Sequence, residues 1–468
     1  MISKSLAIQV LNEALATGAD YAEIFYENSS ANGLSIENGK VNTASSSITS
    51  GVGLRLLKEN QSIYGYTADL SKKGLLKLAN SLNKSFHGER LITVKELEFV
   101  KGKNRNPVVT TYKDFPLEDR IALVKEGTDA IAELKDPRIV RYIGSFGTNH
   151  RFVAIFNSKG KWFKRDTEFA RIAYSVVAVD ENGMETGFEG PGCQKDVSFF
   201  KKGGRGEARK AALGAARVAL LNLTAKECPS GKMPVVIGNG WGGVLFHESC
   251  GHPLEASAVS KGLSVFAGKI GEQIASPLVS AVDDSTIPQE WGSIDIDDEG
   301  NPGTKRQLIK NGILTDYMID DFNGRRMGRE GNGACRRQNY KYCPTSRMSN
   351  TYIENGKSTP EEIIAATKLG LYAVGFNGGS VDPSTGEFNF GCSEAYIIRD
   401  GKIAEPVKGA TLIGKGYEIL QKIDMVANDL AFGQGMCGAA SGSIRTNVGQ
   451  PTIRISEILV GGRGGELK

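Results

Sequence analysis

Histidine is scarce in this chain, at 4 of 468 residues. Imidazole chemistry, whether proton transfer or metal ligation, must come from those four. Tryptophan is nearly absent too, at 3. No run of about 18 apolar residues occurs, so no membrane-spanning helix is expected. The opening MISKSLAIQVLNEALATGAD has apolar residues at helical spacing, interrupted by Glu13. It lacks the apolar core of a secretory signal. The seven cysteines stand at 193, 228, 250, 335, 343, 392 and 437. Their number is odd and no C-x-x-C pair occurs, which argues against a disulfide framework and a zinc ribbon. A reducing, cytosolic location is expected. The formal charge is only +4. No nucleic-acid fold motif is present, so neither nucleic acid nor membrane is an expected partner.

Glycine, in contrast, is abundant, at 58 residues. Its distribution suggests strands joined by tight turns. Residues 3–17 and 71–84 show helical apolar spacing, and strands are expected between them. Asn38-Gly39 suits a type I′ hairpin turn. A similar order follows: a helix over 117–134, strands joined at Ser158-Lys159-Gly160 and Glu181-Asn182-Gly183, and a helix over 205–222. This predicts two related helix–strands–helix units. After Pro229-Ser230-Gly231 the texture changes. MPVVIG (233–238) reads as a buried strand, short strands dominate from about 310, and one helix is expected over 359–369. The chain is therefore expected to be α+β, with an N-terminal α+β domain over 1–230. A C-terminal domain over 231–468 is expected to be mostly antiparallel and barrel-like.

Two of the four histidines, with Glu248 between them, lie in HESCGH (247–252). A zinc-peptidase H-E-x-x-H helix places its histidines four apart, about 40° out of line. Here they are five apart, about 140° on a regular helix, so both could not ligate one ion. Gly251 permits unusual backbone angles. Pro253 interrupts the ladder and biases His252 away from helical angles. A π-type widening, or a helix ending near Gly251, would bring His252 round to His247. Spacing alone leaves open a metal site or two structural histidines. Cys250, three residues from His247, is either a ligand or a small buried side chain. Candidates for a third ligand include Cys392, Cys437, Glu255 and Asp283.

The C-terminal third contains FNGGSVDPSTGEFNFGCSEAYIIRDGKIAEPVKGATLIGKG (376–416) and MVANDLAFGQGMCGAASGSIRTNVGQPTIRISEILVGG (425–462). These stretches resemble the TldD/PmbA metallopeptidases, the modulator of DNA gyrase family. NGRRMGREGNGACRRQNYKYCPTSRMSNTYIENG (323–356) and the N-terminal GADYAEIFYENSSANGLSIENGKV also resemble it. The intact H-E-x-x-x-H motif is TldD-like rather than PmbA-like. The resemblance implies His247, His252 and Cys437 as Zn2+ ligands and Glu248 as general base. It implies a peptidase acting on unfolded chains, as a homodimer or a heterodimer with a PmbA-like subunit. Cys250 and Pro253 depart from the family pattern. A non-catalytic partner subunit with a structural metal is the alternative, and a cysteine hydrolase is a third reading. The basic stretch 325–347 is read as a solvated or partner-facing loop, with binding of peptide carboxylates as the second choice.

Overall fold

A computed structural model describes residues 1–108, 111–181, 183–382 and 384–467. Asn182, in one of the expected turns, lies outside the described residues. Helix α1 (Lys4–Ala14) precedes three antiparallel strands, β1 (Tyr21–Glu37), β2 (Lys40–Lys58) and β3 (Gln61–Thr67). Helix α2 (Lys72–Asn83) and the short strand β4 (Glu98–Phe99) follow. Helix α3 (Leu117–Glu133) leads to β5 (Ile139–Asn157) and β6 (Lys161–Asp180), and α4 (Ala208–Thr224) closes the set.

The two expected units share one sheet, with the order β3-β2-β1-β5-β6-β4. Strand β1 pairs with β5 from Glu23↔Asn157 to Glu37↔Ile143, so each unit supplies half the sheet. Asn38 (φ 45°) and Gly39 (φ 79°) both take positive φ, as a type I′ turn requires. The strands are long enough to carry two helix pairs end to end. On one face, Ala22, Ile24, Ala154 and Phe156 pack with α1 and α2. Further along that face, Leu34, Ile36, Phe146 and Ile172 pack with α3 and α4. Side chains alternate along a strand, so the intervening positions form the opposite face. Phe25, Val153, Ile155 and Phe163 pack there against Ile296 and Tyr340 of the C-terminal half. Burying a side chain such as Phe25 stabilises this contact by about 1.5–3 kcal/mol.

Charges are buried beside that apolar contact. Glu23 accepts from Arg55 at 3.0 Å and from Arg337 at 2.6 Å, and all three side chains are shielded from solvent. Arg55 also pairs with Glu299, and Arg165 with Asp298 at 2.7 Å. The basic stretch 325–347 is therefore not simply a solvated loop. Arg337 and Arg347 are fully buried, and Arg336 is 6% exposed.

In the C-terminal half, five strands close a barrel. Gly231–Ile237 pairs with Ile453–Gly461, which pairs in turn with Thr411–Lys415. The ring continues through Glu387–Arg399 and Leu369–Val381 back to Gly231–Ile237. A second sheet has Asn350–Ile353 beside Gly442–Gln450, with Ala431–Ala439 at its edge. The expected α+β class, with a largely antiparallel and barrel-like second half, is what the structure has. The helix expected over 359–369 is shorter, Pro360–Ala365, because the alternating residues from Leu369 onward join the barrel. No helix among the described residues is long and apolar enough to cross a membrane.

Candidate metal centre

The barrel strand Gly231–Ile237 delivers the chain to the glycine-rich turn before the histidine motif. Gly243 is needed there for close approach: a Cβ would stand 2.4 Å from the backbone nitrogen of Gly449. That contact seats the helical segment directly on the strand Gly442–Gln450. A single α-turn, Val244–Phe246, then widens into a π-helix over His247–Gly251. The His252 N–H donates to the His247 carbonyl, five residues back. Residues five apart therefore stack one above the other, and the extra residue is absorbed.

The local reasons differ from those expected. Gly251 keeps ordinary helical angles, φ −56° and ψ −59°. Its lack of a side chain makes room for Met348, whose Sδ would lie 2.2 Å from an added Cβ. His252 is also helical, at φ −59° and ψ −43°, so Pro253 does not divert it. Pro253 instead occupies the first turn of a short 3₁₀ segment, His252–Leu254, where no N–H is needed.

The widened turn brings both imidazoles to one sulfur. His247 Nε2 and His252 Nε2 each lie 3.3 Å from Cys437 Sγ, and the rings are edge-to-face, with centroids 5.1 Å apart. Cys437 comes from the strand Ala431–Ala439, which hairpins onto Gly442–Gln450. The three candidate ligand atoms lie within 4.8 Å of one another. In a tetrahedral zinc shell, a nitrogen and a sulfur stand about 3.5 Å apart. The donor set and both nitrogen–sulfur distances therefore fit such an ion.

Neighbouring groups shift both the sulfur and one of the imidazoles. Burial pushes the Cys437 thiol up, but His247 and then His252 outweigh it and hold the group well below its ordinary range. Burial pushes His252 down, and Glu255 followed by Cys437 carry it well above. The two imidazoles thus favour the thiolate form of Cys437, the form that ligates metals.

Glu255, considered as a ligand, instead approaches the opposite ring nitrogen. Its Oε2 lies 3.3 Å from His252 Nδ1, leaving Nε2 free to face Cys437. A carboxylate in this role fixes the tautomer and orientation of a ligating histidine. Glu255→Gln is expected to weaken metal affinity by about 10–100-fold, measured by competition with a chelating dye. Arg347 holds the other side, donating to the Cys437 carbonyl at 2.6 Å and to the Gly442 carbonyl at 2.8 Å. Sequence reasoning gave Arg347 no such role; one basic residue among several carries no mark of its partner. Cys250 is fully buried in the apolar core. Asp283 is engaged elsewhere, with Arg306, Ser349 and Thr351. Cys392 packs against the apolar core. None of these three belongs to the His–His–Cys group.

Glu248 sits beside the group, with Oε2 3.8 Å from His252 Nε2 and its side chain 19% exposed. Together with His247, His252 and Cys437 it lines a cavity of about 1240 Å³. Part of the cavity wall is the strand Leu369–Val381. Its pairing with Gly231–Ile237 ends at Ala373, and residues 374–381 border the cavity beyond that point.

Residues 230–462 match the sequence model of the PmbA/TldA metallopeptidase C-terminal domain. Residues 22–85 match domain 1 of the same group, and residues 111–223 its central domain. A metalloprotease TldD homolog of Haemophilus influenzae is 39% identical over 450 residues, covering 95% of this chain and 93% of that protein. The chain belongs to the PmbA/TldD metallopeptidase family. Another family relative, a metalloprotease of Methanothermobacter thermautotrophicus, is 30% identical over 95% of this chain and 96% of its own length. Solved structures share the PmbA/TldD fold at lower identity. TldE from Thermococcus kodakarensis superposes with a TM-score of 0.76 at 19% identity, covering 98% of this chain and all of that one. A Bacteroides thetaiotaomicron protein, assigned as a candidate modulator of DNA gyrase, reaches 0.78 at 21%, covering 99% of this chain and all of its own.

Proposed function

We propose that this protein is a zinc-dependent peptidase of unfolded chains, with His247, His252 and Cys437 as ligands and Glu248 as general base. The observation that carries the reading is the convergence of two Nε2 atoms on one buried sulfur, each at 3.3 Å. Three protein ligands leave one position open, as hydrolytic rather than structural sites do. When bound, zinc supplies Lewis acidity at that open position, polarising a carbonyl and acidifying water. Glu248 takes the proton of the attacking water on a carboxylate oxygen and passes it to the leaving amine. Glu255 orients His252, and Arg347 pins the backbone at Cys437.

Substrate selection follows from the cavity wall. The strand edge over residues 374–381 would receive an extended peptide by main-chain hydrogen bonds, which reads backbone more than side chains. Unfolded segments fit this mode and folded domains do not. We further propose a division near residue 230 into domains 1–230 and 231–468, a cytosolic location, and a dimer. The second subunit is either another copy or a PmbA-like chain.

The test is metal removal. Purified protein is expected to carry one zinc per chain, to stop cutting a denatured protein after chelation, and to recover with added zinc. Cleavage that survives chelation but stops on alkylation of one thiol would sink this proposal and favour a cysteine hydrolase.

A further inference from the structure

A second cavity, of about 290 Å³, lies where the N-terminal sheet meets the C-terminal half. Arg151, Arg165, Arg336, Arg337 and Arg445 all line it. Three of the five have carboxylate partners: Arg151 with Glu27 at 3.0 Å, Arg165 with Asp298 at 2.7 Å, and Arg337 with Glu23 at 2.6 Å. Arg336 and Arg445 have none. Among the described residues, no carboxylate oxygen lies within 4.0 Å of either guanidinium. Both are buried, at 6% and 8% exposure.

Their remaining contacts hold them in place without neutralising them. Arg336 donates to the Met348 carbonyl at 2.7 Å. Arg445 donates to the Trp291 carbonyl at 2.9 Å, and its guanidinium lies 3.8 Å from the centre of the Phe169 ring. A guanidinium carries five N–H donors, so most of each fork is left for something in the cavity. The electrostatic burden is visible in both groups. Burial above all pushes Arg336 down to about 9, with Arg347 and Arg165 adding to it against Asp298. Burial, then Arg336 and Arg151, lowers Arg445 well below its usual value. Burying an unpaired charge is strongly unfavourable, so a counter-ion is called for.

We propose that this cavity is an oxyanion site in which Arg336 and Arg445 clasp a carboxylate or phosphate group. Planar forks match the two or three oxygens of such groups and favour them over a spherical anion. Thr167 and Ser443 line the same cavity and add hydroxyl donors. The volume suits one anionic group on a short stem. Met436, the neighbour of Cys437 in the chain, lines both this cavity and the large one holding the His–His–Cys group. The source we assign to the oxyanion is a terminal or side-chain carboxylate of a chain lying in the large cavity. That choice of source rests on the peptidase reading; the oxyanion site itself does not.

The test is thermal unfolding of the full chain at fixed ionic strength, with inorganic phosphate replacing chloride. A saturable rise in Tm is expected, because a ligand of the folded state alone stabilises by mass action. Arg445→Met and Arg336→Met should each match or exceed the native Tm without phosphate, and each should lose most of the phosphate response. A guanidinium with a purely structural role would behave oppositely, lowering the Tm when removed. If one variant fails to fold, the other carries the same comparison. A short peptide with a free C-terminal carboxylate should compete with phosphate, and its C-terminal amide should not. Equal behaviour of acid and amide would assign the site to free anions instead of chain ends. A native Tm indifferent to phosphate, or a response that survives both substitutions, would overturn the site. None of these readouts involves cleavage, so a failure of the peptidase reading would appear separately, in the chelation experiment.

Discussion

Glu248→Gln will retain its metal and lose peptide cleavage by about 10²–10⁴-fold, the range that a positioned general base contributes. The substitution preserves the shape of the side chain and removes the oxygen that accepts a proton. Metal content should not change, because the proposed ligands are His247, His252 and Cys437. Glu248 stands outside that set, 3.8 Å from His252 Nε2. The measurement pairs metal analysis with cleavage of an unstructured peptide by the same preparation. Loss of both would recast Glu248 as a structural support of the ligands. Native cleavage in the variant would show that another group takes the proton.

The second large effect is on stability. Glu23→Gln is expected to cost about 3–5 kcal/mol, because it leaves buried cations without their counter-charge. Arg55 keeps Glu299, but Arg337 has Glu23 as its carboxylate partner. Chemical denaturation followed by fluorescence would read the loss as a lower midpoint. The double variant Glu23→Gln with Arg337→Met should recover much of it, since an apolar replacement of a buried pair is often neutral. A double variant as weak as the single one would mean that Arg337 contributes by filling space, such as its 4.0 Å contact with the Phe25 ring, and not by charge.

Some of this was legible in the sequence because it is local. The type I′ turn at Asn38-Gly39 follows from two residue types that tolerate positive φ. The mismatch between five-residue spacing and the α-helical period leaves a π-helix or a helix ending near Gly251, and the structure has the π-helix. The cause there is not local: Gly251 accommodates Met348 across the fold, and nothing adjacent in sequence reports that neighbour. Cys437 is 190 residues from His247, a separation at which spacing is silent. Only the family resemblance points to it. Glu255 reads from the sequence as a candidate ligand, and only the direction of His252 Nδ1 places it behind that imidazole. Arg347 and Arg336 were hidden for the opposite reason. A run of basic residues looks like solvated surface until the carbonyls and aromatic rings around it are known.

The long strands of the N-terminal sheet have one more consequence. Their reverse face supplies Phe25, Val153 and Ile155 to Ile296 and Tyr340, and Glu23 to Arg337. The C-terminal half is thus not a detachable module: expressed alone, it would leave Arg337 without Glu23, and Glu299 and Asp298 without Arg55 and Arg165. The first half completes the packing and the charge balance of the second.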